Sequence, residues 1–291
     1  MNRSNRKELA LQAISQSLKV RKRAKYRLAH PISIYDLCER LGIAVLLQDF
    51  PSMEGLYMPE AQPKPTIILS SLRPTGRKAI TCGHELGHHE FKHGKQWDEL
   101  KEDRSKARRF EPEEYLADMF SSYLQMPKGA VESAFRLRGL SPASCTPEQI
   151  FCLSTYFGVS YEAFVTHLER TLSLVSMKRA SELMFFSPKN LRQSLLGESC
   201  PQGLVVADHH WVEHAIDVEV GDSILLPTNT IADGSCIERV YSSLENVAFT
   251  AIKPGIGRVV DSTGWCSFVR VMQKGFVGRA MFRFDEEVDD E

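Results

Sequence analysis

Two histidines four residues apart, in the run His84-Glu85-Leu86-Gly87-His88, give this chain its most chemically specific feature. On a helix they share one face, one turn from each other, so both imidazoles can reach a single metal ion. Glu85 beside the first histidine can reach the open coordination position and take a proton from a water held there. That is the minimal equipment of a zinc peptidase. The stretch Arg77 to Phe91 contains no proline and is expected to run as one helix through both histidines. Gly83 and Gly87 cost that helix about 1 kcal/mol each against alanine. Their missing Cβ atoms would let another segment or a substrate come close.

Zinc needs a third protein ligand, and the segment Glu113 to Pro127 offers one. Read as a helix, Leu116, Phe120, Tyr123 and Leu124 form an apolar stripe, with Pro127 ending it. Glu114, Asp118 and Ser121 fall on another face, which makes Glu114 the expected ligand, with Glu111 and Glu113 as rivals. Asp118, one turn further, is placed to hold a ligand histidine by its free N–H. The longer pattern H-E-x-x-H-x-x-G-x-x-H is excluded, because Phe91 and Gly94 stand where it wants glycine and histidine. His93 is off that register and His89 points a third of a turn from His88, so both read as surface residues or outer partners of the site.

Taken together these residues resemble the ImmA/IrrE-type metallopeptidases, a gluzincin-like family. Pro31 to Leu37, followed by Arg40 to Val45, is similar to that family's opening helix and first strand. Thr66 to Ser70 resembles the strand before the metal helix, Arg77 to His88 the helix itself, and Glu114 to Pro127 the family's second motif. Phe157-Gly158-Val159-Ser160 with Ala163 resembles the helical element that closes the module, so the likeness covers roughly residues 8–172. Two positions depart from the pattern. Gly83 stands where members often have alanine, and Ser121 follows Phe120 where they usually have alanine. The resemblance implies a cytoplasmic endopeptidase using Zn²⁺, whose substrate is a helix-turn-helix transcriptional repressor. Limited cleavage of that repressor would switch on stress or mobile-element genes.

The expected chemistry has His84, His88 and Glu114 holding zinc while Glu85 takes a proton from water and returns it to the leaving amine. A further donor should stabilise the oxyanion; Tyr, His or Arg would serve, and no residue type or spacing singles one out. The alternative reading is a DNA-binding regulator with a structural or vestigial metal site. Glu85 counts against it, since a structural site has no use for that residue.

Composition frames this. At 291 residues the chain can bury a sizeable core and is expected to hold two domains. A net charge of −1 predicts neither a nucleic-acid nor a membrane partner. No apolar run is long enough to span a bilayer, and the charged start Met1 to Glu8 does not read as a signal peptide. Seven scattered cysteines, never spaced C-x-x-C, read as reduced thiols, with Cys82 as ordinary helix packing.

The pattern along the chain predicts an α+β protein. A zincin-like helical N-terminal module with a small sheet is followed by a helix pair and a mostly β C-terminal domain. The expected boundaries are 1–174 for the peptidase domain, 175–284 for a β-rich sensor or regulatory domain, and 285–291 for an acidic tail. Helices are expected over 7–29 and 34–41, and strands over 43–48, 54–59 and 65–70. The strand next to a metal helix often stands at a sheet edge, where an extended peptide can add. The basic run Lys19 to Arg27 reads as a solvated helix face. Residues 147–172 read as a helix-turn-helix-like pair. Its second helix, from Tyr161, is poor in the Arg, Lys, Asn and Gln that nucleic acid wants, so packing is expected of it. Strand-like runs follow at 203–206, 216–227, 236–241, 247–252, 265–272 and 276–284. Asp208 to His214 is a second cluster of ligand-type side chains, usable by a metal only if helical.

Overall fold

The computed structural model describes residues 3–94, 96–99, 110–197, 203–242 and 246–285. The chain is α+β and divides into two compact units, residues 1–131 with 275–281, and residues 132–274 with 282–291. This division falls upstream of the expected boundary at 174/175. Of the expected acidic tail only Asp285 lies within the described residues. No helix among the described residues is long and apolar enough to cross a membrane.

In the first unit, α1 (Arg3–Arg23) is followed by α2 (Ile34–Arg40), β1 (Ala44–Gln48), β2 (Met53–Met58) and β3 (Thr66–Ser70). Then come α3 (Thr75–Phe91), β4 (Gln96–Glu99) and α4 (Pro112–Gln125). Ser33 caps α2 by accepting from the Asp36 amide. The alternation in β3 buries Ile67 and Leu69 under the helices, where Leu47, Leu86, Phe120 and Leu124 complete the core. With a short last strand, β13 (Gly278–Arg279), the sheet order is β13-β1-β3-β2-β4, with β1 parallel to β3 and the other pairs antiparallel. β2, the strand under α3, therefore lies between β3 and β4, and β4 takes the edge.

β13 (Gly278–Arg279) overturns one expectation. The run 276–284 is not a strand of the second unit. It contributes two strand residues that pair with Leu46 and Leu47 of β1, then a 3-10 turn at Ala280–Phe282. Periodicity could not reveal this, because the pairing is made with a strand at the other end of the chain.

The basic run near the end of α1 is also divided. Lys19, Lys22, Arg23, Lys25 and Arg27 are exposed, whereas Arg21 is fully buried. Its guanidinium donates to the carbonyls of Leu124 (2.6 Å), Arg27 (2.8 Å) and His30. It thereby satisfies an end carbonyl of α4 and fixes the loop after α1. Burial pulls its pKa down to about 10.

The second unit takes in most of α5 (Lys128–Leu137), then α6 (Pro147–Tyr156), α7 (Tyr161–Thr166) and a π-helical turn at His167–Thr171. A capping box between Thr146 and Gln149 starts α6, and Gly158 at φ +66° turns the chain into α7. Two further helices follow, α8 (Met177–Met184) and α9 (Pro188–Leu196), where the β-rich region was expected to begin. Their signals are local: Ser176 and Ser187 as N-caps, Pro188 at the first turn of α9, and Gly197 at φ +76° after it.

The strands of this unit are β5 (Leu204–Val206), β6 (Ile216–Glu219), β7 (Ser223–Pro227) and β8 (Ile231–Asp233). After them come β9 (Ile237–Ser242), β10 (Asn246–Ala251), β11 (Gly255–Val260) and β12 (Cys266–Met272). They make two four-stranded sheets, β5-β7-β10-β9 and β6-β12-β11-β8. The single expected run 216–227 is thus two strands in different sheets. Gly221 at φ +92° turns the chain between them, and the Asp222 carboxylate accepts from the Glu219 and Gly203 amides.

Candidate metal centre

α3 carries His84, Glu85 and His88, all buried. α4 crosses it closely because neither Gly83 nor Gly87 has a side chain. A Cβ on Gly87 would lie 2.9 Å from the Ala117 Cα, and one on Gly83 would lie 2.5 Å from the Ser121 Oγ. Ser121, fully buried, donates its hydroxyl to the Ile80 carbonyl of α3 at 2.7 Å. The two departures from the family pattern therefore touch each other: the small residue at 83 leaves room for the hydroxyl at 121.

This close crossing sets the first turn of α4 against the two histidines. Pro112 opens the helix, and Glu113 and Glu114 sit where its dipole favours negative charge. The His84 and His88 Nε2 atoms are 2.9 Å apart, and the Glu114 carboxylate oxygens lie 3.6 and 3.5 Å from them. One ligand atom from each of the three residues falls within 4.8 Å of the others, a grouping that could hold a metal ion. Bonds of about 2.0–2.1 Å to a tetrahedral ion require ligand atoms about 3.3 Å apart, so the three residues fit one. Glu111 and Glu113, the rival ligands, are outside this grouping, and no other such trio occurs among the described residues.

Each histidine has an outer partner on its second nitrogen. His84 Nδ1 lies 2.9 Å from an oxygen of Asp118, whose side chain is largely exposed. His88 Nδ1 lies 2.9 Å from Nδ1 of His93. With a proton on each Nδ1, both Nε2 lone pairs point toward Glu114. His93 reaches its place because Lys92 ends α3 in the left-handed conformation, at φ +58°. His89 leaves in another direction, to the Tyr57 hydroxyl at 2.7 Å.

Electrostatics keep the His88 imidazole neutral. Burial, then the charge of His84, pulls the His88 pKa down to about 4, against the opposing pull of Glu114 and Asp118. Burial also lowers His93, while Glu113 and Glu114 act to raise it.

Glu85 is fully buried against β2. A Cβ on Gly55 would lie 2.6 Å from the Thr81 Cγ2 and 2.9 Å from a Glu85 carboxylate oxygen. Only glycine at 55 allows the strand to come this near to the helix. Gly55 escaped the sequence reading, although a glycine inside a strand is the usual mark of such an approach. Cys82, two residues before His84, packs in the core with its sulfur 3.9 Å from that of Cys38.

The other ligand-rich cluster, Asp208 to His214, is no helix and no metal grouping. Asp208 accepts a two-pronged hydrogen bond from Arg138 (2.6 and 2.8 Å), and His209 bonds Asp261 at 2.7 Å. Trp211 is buried and stacked on His214. These side chains tie the segment into the second unit.

Residues 38–169 match the peptidase M78 family, described as the IrrE N-terminal-like domain. No curated protein matched the chain. The matched stretch contains α3, α4 and the α6–α7 pair, and with them all three residues of the grouping. Residues 38–169 thus carry a domain of the ImmA/IrrE metallopeptidase type.

Proposed function

We propose that this protein is a zinc-dependent endopeptidase that makes a limited cut in a helix-turn-helix transcriptional repressor. The observation that carries the reading is the convergence of His84, His88 and Glu114, with Glu85 buried on the helix that supplies both histidines. Two imidazoles and one carboxylate, with a fourth position left over, make a donor set suited to catalytic zinc.

Zinc held by these residues would supply a Lewis acid, lowering the pKa of a water toward neutrality and polarising the peptide carbonyl. The chain's own residues do the rest. Asp118 accepts from the His84 Nδ1–H and so holds that ring's lone pair on the site. Glu85 accepts the water's proton and passes it to the leaving amine. Its place against Gly55 confines the carboxylate between α3 and β2.

The repressor is inferred from the family, and a cytoplasmic setting goes with it. The described cysteines are all free, in keeping with reduced thiols. The rival reading, a DNA-binding regulator, draws little support from α7. Tyr161, Phe164 and Val165 are buried, the Tyr161 hydroxyl donates to the Leu183 carbonyl, and Glu162 is the residue exposed to solvent.

The test compares wild type with Glu85→Gln for zinc content and for cleavage of a purified helix-turn-helix repressor encoded beside the protein. The reading expects about one zinc per chain in both and a single cut by the wild type alone. A wild type that takes no zinc, or a Glu85→Gln protein that cuts at near the wild-type rate, would sink it.

A further inference from the structure

His93 is the neighbour of the metal grouping that the mechanism above leaves without a role. The His88 and His93 Nδ1 atoms, unlike the two Nε2 atoms that would share a metal ion, meet directly at 2.9 Å, so one must carry the hydrogen and the other the lone pair. For His88 to offer Nε2 to a metal, its proton must sit on Nδ1. His93 Nδ1 is then the acceptor, and the His93 proton must sit on its Nε2.

Two contacts hold His93 in this position. The backbone N–H of His93 donates to the His88 carbonyl at 3.0 Å, closing the turn at Lys92. The ring stacks on Phe91, with centroids 5.7 Å apart and planes within 17°. Phe91 in turn packs edge-on against the fully buried Phe120 of α4. The acceptor is thus anchored to the core, unlike the exposed Asp118 that serves His84.

We propose that His93 is a positioning residue for the metal centre: its Nδ1 accepts from the His88 Nδ1–H and fixes the tautomer and ring orientation that aim Nε2 at Glu114. This rests on the metal-site reading above. Outer partners of this kind are worth about 10–100-fold in metal affinity.

The test uses the full chain with His93→Leu, which removes the acceptor, and His93→Asn, whose side-chain oxygen can stand where Nδ1 does. Zinc affinity is measured by competition with a chromophoric chelator, beside the urea unfolding of the metal-free proteins. In zinc-loaded wild type, long-range ¹H–¹⁵N NMR reads the tautomer of each ring. Expected are zinc binding weakened about 10–100-fold in His93→Leu, recovery of most of that loss in His93→Asn, and little change in metal-free stability. The NMR spectrum should show His93 protonated on Nε2 and His88 on Nδ1.

Zinc binding by His93→Leu within about twofold of wild type overturns the proposal, as does a His93 protonated on Nδ1. The NMR result decides alone if the leucine variant does not fold. A wild type that takes no zinc removes the metal-site reading itself and this role with it, an outcome distinct from zinc binding that ignores position 93.

Discussion

Gly83→Ala should destabilise the protein on its own and become harmless, or better, once Ser121 is also alanine. In an exposed helix the change would gain about 1 kcal/mol. Here the new Cβ would sit 2.5 Å from the Ser121 Oγ, 2.8 Å from the Gln125 Nε2 and 3.2 Å from the Ser121 Cβ. The glutamine end can swing aside. The serine hydroxyl can move only by giving up its 2.7 Å bond to the Ile80 carbonyl, a loss of about 1 kcal/mol inside the core. Overpacking adds about 1–3 kcal/mol, so the single variant should lose about 1–3 kcal/mol net. Ser121→Ala alone should lose about 1 kcal/mol. In the double variant the obstructing oxygen is gone and the helix gain is kept, leaving it at least as stable as Ser121→Ala. The two changes should therefore couple by about 2 kcal/mol, against the ~0.5 kcal/mol within which independent sites add. Urea unfolding of the four metal-free proteins measures this, with an unchanged m-value showing that the same surface is exposed each time. Additivity within ~0.5 kcal/mol would refute the claim that these positions face each other across α3 and α4.

Arg21→Ala strips the last turn of α4 and the Arg27–His30 loop of their shared donor; a loss of about 3 kcal/mol is expected in urea unfolding, with zinc stoichiometry unchanged. A shift under ~1 kcal/mol would contradict the capping role. Asp118→Ala should weaken zinc binding about 10-fold, the low end for such partners because its side chain is exposed, and a chelator competition reads it directly. Acid should destabilise the metal-free protein through His88. With the folded pKa near 4 and the unfolded value at 6.5, the unfolded chain binds the extra proton, so stability is fully present above about 6.5 and falls as pH drops toward 4. Urea midpoints across that range test it, and His88→Gln should flatten the slope.

The metal grouping was legible because its spacings are short and helical. His84 to His88 and Glu114 to Asp118 are each one turn, so the local periodicity fixes which side chains share a face. What brings the two faces together is a long-range approach through Gly83, Gly87 and Ser121, visible in the sequence only as small residues. His93 was set among surface residues or outer partners. Its contact depends on a left-handed turn at a lysine, a conformation that sequence does not announce. The strands β1 to β3 and the helix pair followed from alternation, glycine and capping residues. α8 and α9 did not, because the change of texture after residue 175 was read as the start of the strands although Ser176, Ser187 and Pro188 mark helix starts. The pairing of β13 with β1 has no local signature at all.

That pairing ties the order of synthesis to the completion of the metallopeptidase sheet. Leu46 of β1 leaves the ribosome early and waits for Arg279 before its outer edge is satisfied. Until then the unpaired backbone of β1 is a template for other chains, a hazard for a nascent protein. A fragment cut at residue 174, where the sequence suggested a boundary, would carry both α3 and α4 and keep that edge open permanently. The last part of the chain thus works as a seal on the first, and a nascent or truncated chain is left without it.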